Sequence, residues 1–369
     1  MNRVILIGNG FDLAHGLKTS YKDFIDDFWN KKTTILKNTI YKRSIGIITD
    51  DLLFQTSSGY IYKDNEINID IADFGFYSPI IKISKGSSGY DEFKFVISQF
   101  QIKENQNNLH FNNLFLKKIT DKKQIENWVD IEEEYYLALN ECLHESYKDG
   151  IERLNTEFSM IKTLLENYLK EQMSKEIDKI TQIEKNINSD ILLENILKKP
   201  DIKQLCSTLY LNFNYTNTEK LYIQYKKYDR VIHIHGELEN PDNPVIFGYG
   251  DDIDEKYKLI ERQNDKKYFE NIKSIKYLET WNYQDMLKFI NSDAYVIYIM
   301  GHSCGNSDRT LLNTLFEHEN CISIKVFYHQ RDDGTDNYSD IIRNISRNFN
   351  DKALFRKIVV NKTLCAPLS

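Results

Sequence analysis

Paired cysteines are missing from this chain. Its five cysteines, Cys142, Cys206, Cys304, Cys321 and Cys365, stand singly among 369 residues, with no Cys-x-x-Cys anywhere. That rules out a zinc site of the usual spacing, and an odd, dispersed set suits a reducing cytosol. Basic charge is short too: 48 Lys and Arg face 55 Asp and Glu, a net charge of −7. A surface coated with nucleic-acid-binding charge is therefore excluded, although a local basic groove is not. No apolar run is long enough to cross a bilayer, and Met1-Asn2-Arg3 leads straight into an apolar segment without a signal-peptide pattern. The expectation is a cytoplasmic protein with no membrane contact.

What remains, 41% hydrophobic and 28% charged, is the composition of an ordinary globular protein. The length calls for one large domain with insertions or for two domains.

The stretch that organises the rest is Val4 to Tyr21. Val4-Ile5-Leu6-Ile7 runs without alternation, as a strand buried on both faces does, and stops at Gly8-Asn9-Gly10. Two glycines one residue apart suit any strand-to-helix turn, and they also allow the close backbone approach that a phosphate needs. A polar loop carrying Asp12 and His15 is expected next. A helix from Ser20 to Trp29 should come after it, with Ser20 and Asp23 as a capping pair and Tyr21, Phe24, Ile25 and Phe28 on one face.

Residues 31–113 read as an irregular, partly stranded insertion. Asn68-Ile69-Asp70-Ile71 and Phe93-Lys94-Phe95-Val96 alternate between the turns Ser57-Ser58-Gly59 and Gly86-Ser87-Ser88-Gly89. Near Asn127 a helix begins, with Trp128, Ile131, Tyr135, Ala138 and Cys142 on one stripe. Asp130 and Glu134, one turn apart on another, form either a solvated face or two carboxylates at a ligand cleft. One or two long helices, Met160 to Ser174 and Glu176 to Leu197, serve packing, a lid or assembly, and Pro200 ends the region.

Thr208 to Leu211 is a strand that runs into Asn212-Phe213-Asn214-Tyr215-Thr216-Asn217-Thr218. Such polar groups at a strand's carboxyl end sit where open α/β sheets bind ligands. Val231 to Gly236 alternates, which sets His233 and His235 on one side of a strand, either as metal ligands or as core residues. Val245 to Asp252 reads as a strand with a glycine-rich exit. Ala294 to Met300 is the strongest strand of the second half, followed by Gly301-His302-Ser303-Cys304-Gly305-Asn306-Ser307-Asp308 and a helix from Arg309 to Glu317 capped by Ser307 or Asp308. A strand at Ile322 to Tyr328 and a helix at Ser339 to Asn348 complete the reading. Nothing in the sequence lowers the pKa of Cys304, so it is not read as a nucleophile.

The opening ILIGNGFDLAHGLKTSYKDF, together with NWVDIEEEY, resembles the signature of the AbiH family of phage abortive-infection proteins, and the resemblance runs the length of the chain. The strand-end motifs also resemble, in order, those of the sirtuin-like NAD-binding fold: a GAGxS-type loop, a TTNYD-type loop, an LHG histidine and a GYSxxD-type loop. Here they are Gly8 to Asp12, Asn212 to Thr216, Ile234-His235-Gly236, and Gly301-His302-Ser303 with Asp308. Two positions depart from that pattern: Asp12 stands in the glycine loop, and Thr216 stands where an acid follows the Asn-Tyr pair. The zinc cysteines of protein deacylases are absent, so deacylation is not implied.

The resemblance implies an α/β fold: a Rossmann-like, sirtuin-like parallel sheet from residues 1–30 and 201–369, interrupted by a large, mainly helical insertion, 31–200. It implies NAD as substrate or ligand, with no metal. Asn214 would orient the ribose or the attacking water, and His235, with an ordinary pKa of about 6.5, would act as general base near neutrality. Gly8, Asn9, Gly10, Phe11, Asp12, His15, Tyr215, Thr216, Gly301, His302, Ser303 and Asp308 would line the nucleotide. The function implied is an antiphage effector that hydrolyses the N-glycosidic bond of NAD or a related nucleotide. A phage-derived trigger or partner defence protein and a homo-oligomeric state go with it. Two alternatives stand beside it: a nuclease with a divalent metal on Asp12, Asp130, Glu134, His233 and His235, and a nucleotide sensor that binds without turnover.

Overall fold

The computed structural model describes residues 1–44, 52–57, 59–72, 89–100, 108–126, 130–144, 150–189, 207–223, 229–252 and 254–369. Ser58, Gly86 to Ser88, Asn127 to Val129 with Trp128, residues 190–197, Pro200 and Cys206 lie outside them. The chain forms two compact units, one of Met1–Thr19, Tyr135–Asn155 and Lys162–Ser369, the other of Ser20–Glu134 and Thr156–Ile161. Residues 135–155 and 162–189 cluster with the first unit.

The first unit is a mixed α/β structure. Its strands are β1 (Asn2–Ile7), β2 (Ser207–Asn212), β3 (Arg230–His233), β4 (Tyr295–Met300), β5 (Cys321–Tyr328) and β6 (Ala366–Pro367). They lie in the order β3-β2-β1-β4-β5-β6, every pairing parallel. The unalternating Val4 to Ile7 run has the expected cause. Val4 and Leu6 pack with Phe289, Leu312 and Ile345 on one face, while Ile5 and Ile7 pack with Phe11, Ile183 and Ile187 on the other. The register levels the strand ends: Ile7 lies opposite both Asn212 and Met300, and Asn212 opposite His233. The order reverses between β1 and β4, and their exits lie with those of β2 and β3 at one edge of the sheet.

Several local expectations change. Val231 to Gly236 is a strand only as far as His233, and Val245 to Asp252 is not a strand but a loop with one bridge, Tyr249 to Ile272. The helix expected from Met160 already starts at Gly150 and ends at Met173, and the helix after it is short, the seven residues Thr181–Ile187.

In the second unit the Ser20 hydroxyl accepts the Asp23 N–H at 3.1 Å and donates back to its carboxylate, the reciprocal cap expected. The helix it starts runs from Tyr21 to Ser44, well past Trp29. Four antiparallel strands, Leu53–Thr56, Gly59–Lys63, Ile67–Ala72 and Leu109–Phe111, form its sheet in sequence order. Phe93 to Val96 is not a strand piece but lies in the helix Gly89–Ser98. Tyr90, Phe93 and Ile97 share a helical face there, and the rings of Tyr90 and Phe93 pack on Trp29. Four alternating residues are too few to separate the two periods.

Candidate functional site

At the end of β1 the polar loop expected after Gly10 is instead a short helix, Asn9–Ala14, that starts at Gly8. The Gly8 N–H donates to the Met300 carbonyl at 3.2 Å, and the Gly10 N–H to the Gly301 carbonyl at 2.8 Å. A Cβ on Gly8 would lie 2.5 Å from His302 Cα, and one on Gly10 2.9 Å from Gly301 Cα. The glycines therefore let the exits of β1 and β4 touch backbone to backbone across the reversal. Asn9 accepts from the Thr19 hydroxyl through its side-chain oxygen. Phe11 is buried with its ring 5.0 Å from His15 and 5.5 Å from Tyr222. His15 Nδ1 lies 2.7 Å from the Phe11 carbonyl and Nε2 2.6 Å from the Tyr222 hydroxyl, and burial lowers its pKa.

Asp12, 1% exposed, receives the Thr216 hydroxyl on Oδ2 at 2.5 Å. Its other oxygen, Oδ1, is buried with no hydrogen-bond partner. Burial raises its pKa to about 6, helped by the charge of Glu219 and opposed by Thr216, Thr218 and Asn214. Behind it the strand-end amides tie the β2 loop. Asn212 Nδ2 donates to the Thr216 carbonyl (3.0 Å) and to Glu219 Oε2 (2.7 Å), and its Oδ1 accepts the Asn214 N–H (2.8 Å). Glu219, wholly buried, faces His233 Nε2 through Oε1 at 3.0 Å. Asn214, half-buried, donates through Nδ2 to the Gly8 carbonyl at 3.1 Å, which brings it to the β1 exit. The Tyr215 hydroxyl donates to the Ile246 carbonyl.

A second cluster gathers around Asp308. Its Oδ1 lies 3.1 Å from His235 Nε2 and 2.9 Å from Lys273 Nζ, and its Oδ2 3.5 Å from His302 Nε2. Asp308 does start the helix Arg309–Phe316, but without a side-chain cap, because its carboxylate is drawn to these three partners. Burial works against its charge, yet Lys273 and His235 hold it ionised, well below the usual carboxylate range. His302 Nδ1 accepts the Cys304 N–H at 2.9 Å, so the hydrogen of a neutral His302 sits on Nε2, facing Asp308. His235, 4% exposed, places Nδ1 3.1 Å from the Phe213 carbonyl and Nε2 3.1 Å from the Tyr277 hydroxyl. Burial and then Lys273 push its pKa down, against the pull of Asp308. The Phe213 ring meets both His235 and His302 edge-on, at 5.2 and 4.2 Å, and His302 lies over Gly8. His235 is thus linked to the β1 exit through Asp308 and His302. Ser303 is exposed, and its carbonyl accepts from Asn344. The Cys304 thiol is pushed up by burial and by Asp308, which keeps it protonated.

The family model of Bacteriophage abortive infection AbiH matches residues 4–330. The chain belongs to the AbiH family. No curated protein and no solved structure matches it. Among the described residues no helix is long and apolar enough to cross a membrane.

For this AbiH-family chain the structure separates two pairs that the sequence joined. His233 and His235 point into different clusters, one to Glu219 and one to Asp308. Asp130 caps the helix Ile131–Glu141 by accepting the N–H groups of Glu132 and Glu133, and Glu134 pairs with Lys122 at 3.4 Å. Among the described residues no three His, Cys, Asp or Glu side chains form a group that could hold a metal. Sequence reasoning passed over Lys273, Glu219, Tyr277 and Tyr222. Lys273 opens a four-residue helix in a charged stretch, where a lysine reads as solvated, and it is completely buried.

Proposed function

We propose that this AbiH-family protein is an antiphage abortive-infection effector that binds NAD or a related nucleotide where the strand order reverses and hydrolyses its N-glycosidic bond. The order 3-2-1-4-5-6 is that of doubly wound dinucleotide-binding sheets, which supports a Rossmann-like, sirtuin-like reading. The observation that carries the chemistry is His235, biased to its neutral form beside a carboxylate that Lys273 keeps ionised. In the step envisaged, water attacks the anomeric carbon of the ribose, the carbon–nitrogen bond breaks, and nicotinamide leaves as a neutral ring. The water's proton ends on the His235 ring, and Asp308, 3.1 Å from Nε2, stabilises the imidazolium. Asn214, tied to Gly8, orients the ribose or the water. A cytoplasmic homo-oligomer released by a phage-derived trigger or a partner defence protein belongs to the same proposal.

Incubating the protein with NAD, with and without phage lysate, tests it by nicotinamide release. The expected result is release that His235→Ala abolishes. Absence of release under every trigger, or full release by that variant, overturns it. The low exposure of His235 and Asp12 favours a second reading, a sensor that binds nucleotide without turnover; tight NAD binding with no product would select it.

A further inference from the structure

The first-strand exit holds a buried acid that is not fully paired. The N–H groups of Gly8 and Gly10, which a phosphate would need, already donate to Met300 and Gly301. Two residues after Gly10 stands an acid, Asp12, whose Oδ1 is buried and without a hydrogen-bond partner. A second buried acid, Glu219, adds its charge to the same spot. The other groups around Asp12 are the neutral Thr216, Thr218 and Asn214. An anion placed there meets two carboxylates, whereas a neutral hydroxyl supplies the single donor that Oδ1 lacks.

We propose that the β1 exit takes a sugar rather than a phosphate, and that Asp12 Oδ1 accepts a ribose hydroxyl of the bound nucleotide. The proposal rests on the nucleotide reading and fixes the ligand's direction within it: a ribose sits at Asp12, and the phosphates lie away from the β1 loop.

The experiment is calorimetric titration of NAD, and of NAD analogues that each lack one ribose hydroxyl, into wild-type and Asp12→Asn protein. Thermal unfolding of the variant serves as a folding control. One analogue is expected to bind the wild type about tenfold more weakly than NAD does, the range for a hydrogen bond to a charged acceptor. Asp12→Asn should weaken NAD by a similar factor and bind that analogue and NAD alike. Equal binding of every analogue to the wild type overturns the assignment of Asp12 and leaves the nucleotide reading intact, as does undiminished NAD affinity in the variant. No binding of NAD or any analogue overturns both.

Discussion

The hydroxyl of Thr216 donates to the carboxylate of Asp12 across 2.5 Å, joining two residues 204 positions apart. These are the two positions at which the strand-end motifs depart from the pattern they resemble.

Replacing Thr216 by valine keeps the shape and removes the donor. Asp12 then loses the hydroxyl that pairs its Oδ2, and the expected cost is about 1–3 kcal/mol. In an Asp12→Asn background the same replacement should cost less, with a coupling of at least roughly 0.5 kcal/mol. Urea unfolding of the four proteins measures it. Additive effects would mean that the charge of Asp12 adds no energy to the contact.

Asp12 also sets a dependence on pH. Its folded pKa, about 6, lies above the ordinary 3.8. Its contribution to stability is therefore fully present below about pH 4 and is lost as pH rises through about 6, because ionisation is disfavoured in the fold. Asp12→Asn removes that penalty. The variant should gain on the wild type by up to roughly 3 kcal/mol between pH 4 and pH 7, the equivalent of about two pKa units. Urea midpoints at the two pH values decide it, and a constant difference between the proteins rules it out.

Lys273 and Asp308 form a buried pair whose members depend on each other. Lys273→Met leaves the Asp308 charge without its closest cation and should destabilise by about 3–5 kcal/mol. Lys273→Met with Asp308→Asn removes both charges and should recover part of the loss. A double variant as unstable as the sum of the two singles would show that Lys273 matters for its packing alone.

The strand ends were legible because their chemistry is local. Val4 to Ile7 and Tyr295 to Met300 are apolar at every position because both faces of the sheet are covered. The residues after them are glycines and polar groups because the chain turns there. The Val245 to Asp252 stretch misled because its glycines serve contact rather than a strand exit. A Cβ on Gly248 would collide with the Asn271 carbonyl, and one on Gly250 would lie 2.8 Å from that of Ser307. Lys273 was illegible for another reason. Its burial depends on Asp308, 35 residues later, and no pattern around a lysine reports a partner that distant.

On the hydrolase reading, His235 must be neutral to act. Its pKa lies below 6.5, lowered by burial and Lys273. Nicotinamide release should therefore rise with pH, with its midpoint below about pH 6.5. A midpoint above pH 7 would assign the base to another group.

The contact between the β1 and β4 exits can be tested with two glycines of like backbone. Gly301 has φ +76° and Gly334 φ +82°, both in the left-handed region, where an alanine costs about 1–2 kcal/mol. They differ in surroundings. A Cβ on Gly334 meets nothing within 4 Å, whereas one on Gly301 runs into the backbone nitrogen of Phe11. Gly334→Ala should therefore show only the backbone cost. Gly301→Ala should cost at least about twice as much, since the two exits must part and the Gly10 to Gly301 hydrogen bond is strained with them. Urea unfolding of the two variants compares them directly. Equal losses would mean that the loops yield without resistance, and the glycines at the strand ends would then be free to serve a ligand instead of each other.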